Sequence, residues 1–290
     1  MKIIDIEHLT KTYGNHRGVT DLSLSIPQGE IFGFLGPNGA GKSTTIRSIL
    51  GMIRYQSGSI KVFGKDAKKE HTTILKSIGY MPSEAMFYPT MYVKDVIQLA
   101  AKTRGLNCDK EAKKLCDCLE VPLNKKINEL SLGNRKKVSI VCAMQHKPQL
   151  FIFDEPTSGL DPLMQDTFFQ LILEYNKAGT TCFLSSHVLS EVKKYCNSAA
   201  IIKDGSLIKV DTVANLTKTN VHNIQIHGLT QPIILPQMEA SVFKDQIQSF
   251  TYKGNINELI HTLSTLNITD LYISEPSLEE IFMHFYEKEA

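Results

Sequence analysis

The sequence predicts an α/β fold built on a parallel sheet core, followed by a smaller α+β unit. Three observations carry this. The apolar run "EIFGFLG" passes through a glycine-rich loop into a helix-like stretch ending at Leu50, which is the strand, loop, helix order of a phosphate loop. After Gln149, short apolar runs alternate with helical patterns, as expected of parallel strands joined by crossover helices. Beyond about Thr219 the chain changes to alternating strand-like runs and one amphipathic helix, the mark of a separate small domain.

Taken in order, "KIIDIEHL" and "DLSLSI" read as strands, the second with Leu22, Leu24 and Ile26 alternating with polar residues, and Pro27-Gln28-Gly29 as a turn. "EIFGFLG" is the strand before the glycine loop, and Lys42 to Leu50 the helix after it. "GSIKVFG" and "SIGYMP" are further strands; Val93 to Lys102 and Glu111 to Leu119 have helical spacing, so the middle of the chain is expected to be largely helical. Then come a helix from Asn134 to His146, strand "LFIFDE", helix Met164 to Lys177, strand "TTCFLSS", helix Val188 to Tyr195, and a hairpin "SAAIIKDGSLIKV" turning at Asp204-Gly205. The last unit contributes "HNIQIHGL", "SFTYKG", "INELIHTLSTL" and a terminal "SLEEIFMHFYEKEA".

The totals narrow the function classes. A chain of 290 residues with 42% hydrophobic residues builds a proper core and is not disordered. Its 32 basic and 30 acidic residues nearly cancel, so no nucleic-acid partner is expected. Six cysteines lack CxxC spacing and no secretory leader is read at Met1, which fits free, mostly buried thiols in a reducing cytosol. The longest apolar stretches fall short of the roughly 18 residues of a membrane-spanning helix, so any membrane role is expected to come through a partner.

The first chemical motif is Gly36-Pro37-Asn38-Gly39-Ala40-Gly41-Lys42-Ser43, followed by Thr44, which fits GxxxxGK[ST] at every fixed position. Glycines let the backbone wrap close enough for N–H groups to face a β-phosphate, and the helix behind adds its positive end. Lys42 is expected to reach β- and γ-phosphate oxygens and Ser43 to give its hydroxyl to Mg²⁺. The second is "LFIFDEP". An apolar strand delivers Asp154 to the carboxyl edge of the sheet, beside the phosphate loop, where it is placed to hold Mg²⁺; Glu155 follows, placed to orient or deprotonate a water. A strand that ends in two solvated acids is the plainer alternative.

"ELSLGNRKKVSI", "LFIFDEPTSGLDP" and "FLSSH" resemble the signature, magnesium strand, following loop and switch histidine of the ATP-binding cassette (ABC) ATPases, in the family's order and over roughly residues 1 to 215. The resemblance implies a P-loop NTPase of ABC type over residues 1–218. That fold has a RecA-like parallel-sheet core, an antiparallel β subdomain and a helical subdomain at about 84–146, with residues 219–290 as an accessory α+β domain. It also implies ATP and Mg²⁺ as ligands. By the same resemblance Tyr13 stacks on adenine, Ser131 and Gly133 are signature residues, Asp161 lies in the loop that crosses a dimer interface, and His187 contacts the γ-phosphate and attacking water. Plainer readings are a strand-end tyrosine packed on the core for Tyr13, an N-cap for Ser131 and a structural cap for His187. In the family the signature of one subunit meets the γ-phosphate held by another. A head-to-tail homodimer is therefore expected, peripheral to the cytoplasmic face of the membrane through a separate transmembrane permease.

Two positions depart from the pattern. Ser83, with Glu84 next, stands where the family commonly has glutamine, and serine is too short to reach as glutamine does. The signature carries Leu132 and Asn134 where glycine and glutamine are usual. The helical segment around Met86 to Arg104, with Phe87, Tyr88 and Tyr92, is the expected grip on the permease, unless those rings pack on their own helices. The closing "PSLEEIFMHFY" resembles bacterial exporter ATPases of the drug, bacteriocin and antibiotic-resistance type. The expectation is therefore an ATP-hydrolysing exporter subunit; the alternatives are a soluble cassette remodelling a macromolecular assembly and a regulatory ATP sensor.

Overall fold

The computed structural model describes residues 1–14, 16–217 and 221–274. The terminal "SLEEIFMHFYEKEA" lies outside them. Two compact units are seen, Met1–Val213 and Ala214 onward.

The first unit opens with two long antiparallel strands, β1 (Lys2–Tyr13) and β2 (His16–Pro27). Then come β3 (Ile31–Leu35), α1 (Lys42–Ile49), β4 (Ser57–Val62), β5 (Lys65–Asp66), α2 (His71–Leu75) and β6 (Ile78–Met81). The helical middle holds α3 (Val93–Lys102), α4 (Asp109–Cys118) and α5 (Leu132–Met144). β7 (Leu150–Asp154), α6 (Pro162–Lys177), β8 (Thr181–Ser186), α7 (Leu189–Tyr195), β9 (Ser198–Lys203) and β10 (Ser206–Thr212) complete the alternation, and a short α8 (Val213–Thr217) follows.

A six-stranded sheet runs in the order β10-β9-β3-β8-β7-β6, parallel throughout except for β10, which pairs antiparallel with β9. Its central strands β3, β7 and β8 are buried at every position. This is why they read as unbroken apolar runs rather than alternations. Phe34 and Phe183 lie 5.4 Å apart across β3 and β8, and Phe153 meets Phe168 of α6 at 5.4 Å. A second, antiparallel sheet, β2-β1-β4-β5, alternates in burial and turns Ile4, Ile6, Leu22 and Leu24 into a core shared with α1 and one face of the parallel sheet.

The helix expected over Val93 to Lys102 is α3, and the expected permease-contact segment from Met86 to Arg104 is therefore helical only from Val93. Residues Met86–Tyr92 are irregular, because Pro89 has no N–H to give a helix; Pro89 O instead accepts the N–H of Asn128, and Met91 O that of Ile127. In the second unit a four-stranded sheet is ordered β12 (Met238–Lys244), β13 (Ile247–Tyr252), β11 (His222–His227), β14 (Asp270–Ser274). Its apolar side, with Ile224, Ile226, Phe250 and Tyr252, packs on Leu259 and Leu263 of α9 (Ile256–Leu263).

Candidate functional site

The site grows from the strand order. β8 lies between β3 and β7, with Phe34 level with Ser185, Leu35 with Ser186, and Asp154 with Ser185. Three loops therefore leave the same carboxyl edge side by side: the glycine loop after β3, Asp154-Glu155 after β7 and His187 after β8. Ligands of open parallel sheets bind at this edge.

The glycine loop reaches α1 through Gly41, whose φ of 109° suits glycine alone; a Cβ there would lie 2.7 Å from Val19 Cγ1 and 2.8 Å from Gly18 O. The loop is thus a tight backbone wrap, as a phosphate cradle requires. Pro37, Asn38, Gly39, Gly41, Lys42, Ser43 and Thr44 line a cleft of about 330 Å³ with Gly18, Ser83 and Glu155. Ala40 is buried behind them, and Gly36 O accepts the Lys42 ammonium at 2.6 Å. Lys42 Nζ also reaches Pro37 O at 3.2 Å and lies 3.1 Å from Glu155 Oε1, an ion pair not aligned as a hydrogen bond.

On the acidic side, Ser43 Oγ donates to Asp154 Oδ2 at 2.8 Å and Ser185 Oγ donates to Asp154 Oδ1 at 2.6 Å. Glu155 N donates to Ser185 Oγ at 3.1 Å and to Ser185 O at 3.3 Å. Glu155 has a left-handed φ of 52°, costing about 1–2 kcal/mol in a residue with a Cβ. The kink turns its carboxylate out of the strand direction and toward Lys42 and His187. His187 Nδ1 donates to Glu155 Oε2 at 2.6 Å. The N-cap residue of α7 is Val188, and no side chain caps that helix, so His187 is not a structural cap. Nearby, burial raises the Glu191 carboxyl above its ordinary pKa, against hydrogen bonds from Thr157 and Ser186 that lower it.

The geometry fits a phosphate chain and Mg²⁺. The ammonium, the wrapped backbone and the positive end of α1 face one cleft, with a hydroxyl–carboxylate pair at its side. The Ser43 hydroxyl and Asp154 carboxylate, 2.8 Å apart, suit Mg²⁺, which keeps waters and takes one or two protein oxygens plus substrate phosphates.

The remaining candidates lie outside the cleft lining. Ser131 N-caps α5, its Oγ accepting Asn134 N at 3.3 Å. Gly133 sits so close to the loop after Glu155 that a Cβ would be 2.9 Å from Gly159 O. Asp161 N-caps α6 by accepting Met164 N. Tyr13, at the end of β1, is 41% exposed with Lys11 Nζ 4.7 Å from its ring centre, so it is not a core tyrosine. Sequence reasoning missed Ser185 and Gly18. Ser185 stands in the quoted "FLSSH", but only the β7–β8 register gives it a carboxylate; nothing local marks Gly18.

Residues 19–158 match the ABC transporter family. A linearmycin resistance ATP-binding protein of Bacillus subtilis (LnrL) is 31% identical, covering 97% of this chain and 97% of that protein. The chain belongs to the ABC transporter ATP-binding proteins. The bacitracin transport ATP-binding protein BcrA of Bacillus licheniformis is 31% identical over 97% of this chain and 96% of its own length. A solved ATP-binding subunit of an ABC transporter superposes with a TM-score of 0.70 at 28% identity, covering 74% of this chain and 91% of that one. This ABC ATPase binds ATP and hydrolyses it. No helix among the described residues is long and apolar enough to cross a membrane.

Proposed function

We propose that this ABC ATPase is the motor subunit of an exporter: two copies close on ATP and Mg²⁺, and the closure is passed to a separate transmembrane permease. In this reading Lys42 and the backbone of Gly36 to Gly41 hold the β- and γ-phosphates, Thr44 lies against the phosphate chain, and Tyr13 stacks on adenine. Ser43 and Asp154 would hold Mg²⁺, which when bound neutralises charge on the phosphates. Glu155 accepts a proton from the attacking water, and His187, bonded to its Oε2, fixes the orientation of that carboxylate and reaches the γ-phosphate. Ser131 and Gly133 at the α5 N-terminus serve the nucleotide of the second copy, and Asp161 lies at that interface. Each copy thus supplies part of the other's site, and loss of the γ-phosphate favours reopening.

The observation that carries the permease reading is an apolar groove of about 430 Å³ in the helical middle, lined by Met86, Phe87, Tyr88, Met91, Leu99 and Cys142 among others. Met86 is 92% exposed and Tyr88 70%, too apolar a cluster to stand idle in water. A relative named for linearmycin resistance and one named for bacitracin transport support export.

Cell fractionation tests this. The wild type is expected in the membrane pellet and the Met86→Asp, Tyr88→Asp double variant in the supernatant, with ATP turnover of the purified proteins equal. A wild type recovered wholly in the supernatant of cells that express it natively would favour the soluble remodelling alternative.

A further inference from the structure

Three consecutive cations, Arg135, Lys136 and Lys137, follow the signature on α5, and of these only Lys136 is buried, at 3% exposure. It shares a helix face with Gly133 and Ile140. Its Nζ donates to Ser83 O at 2.8 Å, a contact between residues 53 positions apart. Ser83 lines the nucleotide cleft. Burial lowers the Lys136 pKa, opposed by the charges of Asp154, Glu155 and Glu84. An ammonium taken so far out of water is costly unless it has hydrogen bonds and opposite charges around it. Here those are a carbonyl of the cleft wall, the candidate metal ligand and the candidate base.

We propose that Lys136 is a positioning residue for ATP hydrolysis, holding the Ser83–Glu84 segment against the nucleotide cleft and tying that wall to the signature helix. The inference rests on the reading of the cleft given above. It answers the difficulty posed by Ser83, whose side chain is too short to reach the far side of the cleft. With its carbonyl pinned from α5, the segment keeps its backbone, and Glu84 with it, at the edge of the site. It also gives α5 a direct mechanical link to the wall beside the γ-phosphate side. Any shift of Ser83 on nucleotide loading pulls on the same helix whose N-terminus presents Ser131.

The test compares Lys136→Met, of similar length but uncharged, with Lys136→Arg, which restores the cation. Turnover is followed against Mg-ATP concentration, and amide hydrogen exchange is followed without nucleotide. The Met variant is expected to lose about 10–100-fold in kcat, the range for removing a partner behind a metal ligand, with KM within about threefold. The amides of residues 83–85 should exchange faster while those of α3 do not change. The Arg variant should recover most of kcat and the slow exchange. A Met variant with kcat within twofold of wild type would overturn the proposal. So would faster exchange spread across α3 and α5 alike, or an Arg variant that restores slow exchange but not turnover. Glu155→Gln is run alongside: if it keeps full turnover, the reading of the cleft has failed rather than the role of Lys136.

Discussion

Replacing Glu155 by glutamine keeps the volume of the side chain and removes one charge from a site where that charge has two partners. His187 Nδ1 lies 2.6 Å from Oε2, and Lys42 Nζ lies 3.1 Å from Oε1. The two contacts lead to opposite effects. A missing general base costs about 10² to 10⁴ in rate, which is about 3–5 kcal/mol at 1.36 kcal/mol per decade. Meanwhile Lys42, 6% exposed, no longer faces a competing carboxylate. An interaction with a charged partner contributes on the order of 1–3 kcal/mol, and the glutamine oxygen retains part of it. A net gain of about 1 kcal/mol toward phosphate oxygens remains, or roughly fivefold tighter ATP binding. Phosphate release, titration with a fluorescent ATP analogue and size-exclusion chromatography with ATP and Mg²⁺ measure turnover, affinity and pairing in one set of samples. The expected variant turns over at least 100-fold more slowly, binds ATP more tightly and elutes as a dimer. Turnover within twofold of wild type, in a variant that melts at the wild-type temperature, would refute both the base and the geometry it was read from.

Two further outcomes follow from contacts on the same edge of the sheet and behind it. Ser185→Ala removes the hydroxyl that donates to Asp154 Oδ1 and accepts from Glu155 N; the Mg²⁺ concentration for half-maximal turnover should rise about 10-fold or more and stability fall by about 1–3 kcal/mol, and an unchanged Mg²⁺ titration would rule the role out. His146 is pushed down to about 4 by burial and then by the Arg104 charge, against a hydrogen bond to Ile78 O. The unfolded chain therefore binds this proton at higher pH than the folded one. The stabilisation is full above about 6.5 and is lost as pH falls toward 4, by about 1–3 kcal/mol allowing for partial solvent access. Urea midpoints between pH 4 and 7 should show that slope, and His146→Gln should remove it.

Much of this was legible along the chain because it is local chemistry. A phosphate loop is a device of eight consecutive residues, and a strand buried on both faces announces itself as an apolar run such as "LFIFD" ending in the acids it delivers. The irregular stretch Met86–Tyr92 was not legible in this way. Helical spacing marks α3 from Val93 onward, whereas the stretch before it takes its path from long-range bonds such as Asn128 N to Pro89 O, a partner that only the fold supplies.

By itself the sequence determined which residues are the candidates for the chemistry: Lys42 and Ser43 after the glycines, Asp154 and Glu155 after β7, His187 after β8. Only the tertiary structure decided which of them touch. Inserting β8 between β3 and β7 brings Ser185 to Asp154 across 31 positions and Ser43 to Asp154 across 111, and the approach of α5 to the cleft wall buries Lys136 on Ser83 O. The physical reason is one of range. Backbone wrapping and burial pattern are set within a few residues, whereas a buried hydroxyl or ammonium takes its partner from whichever strand or helix the fold lays beside it.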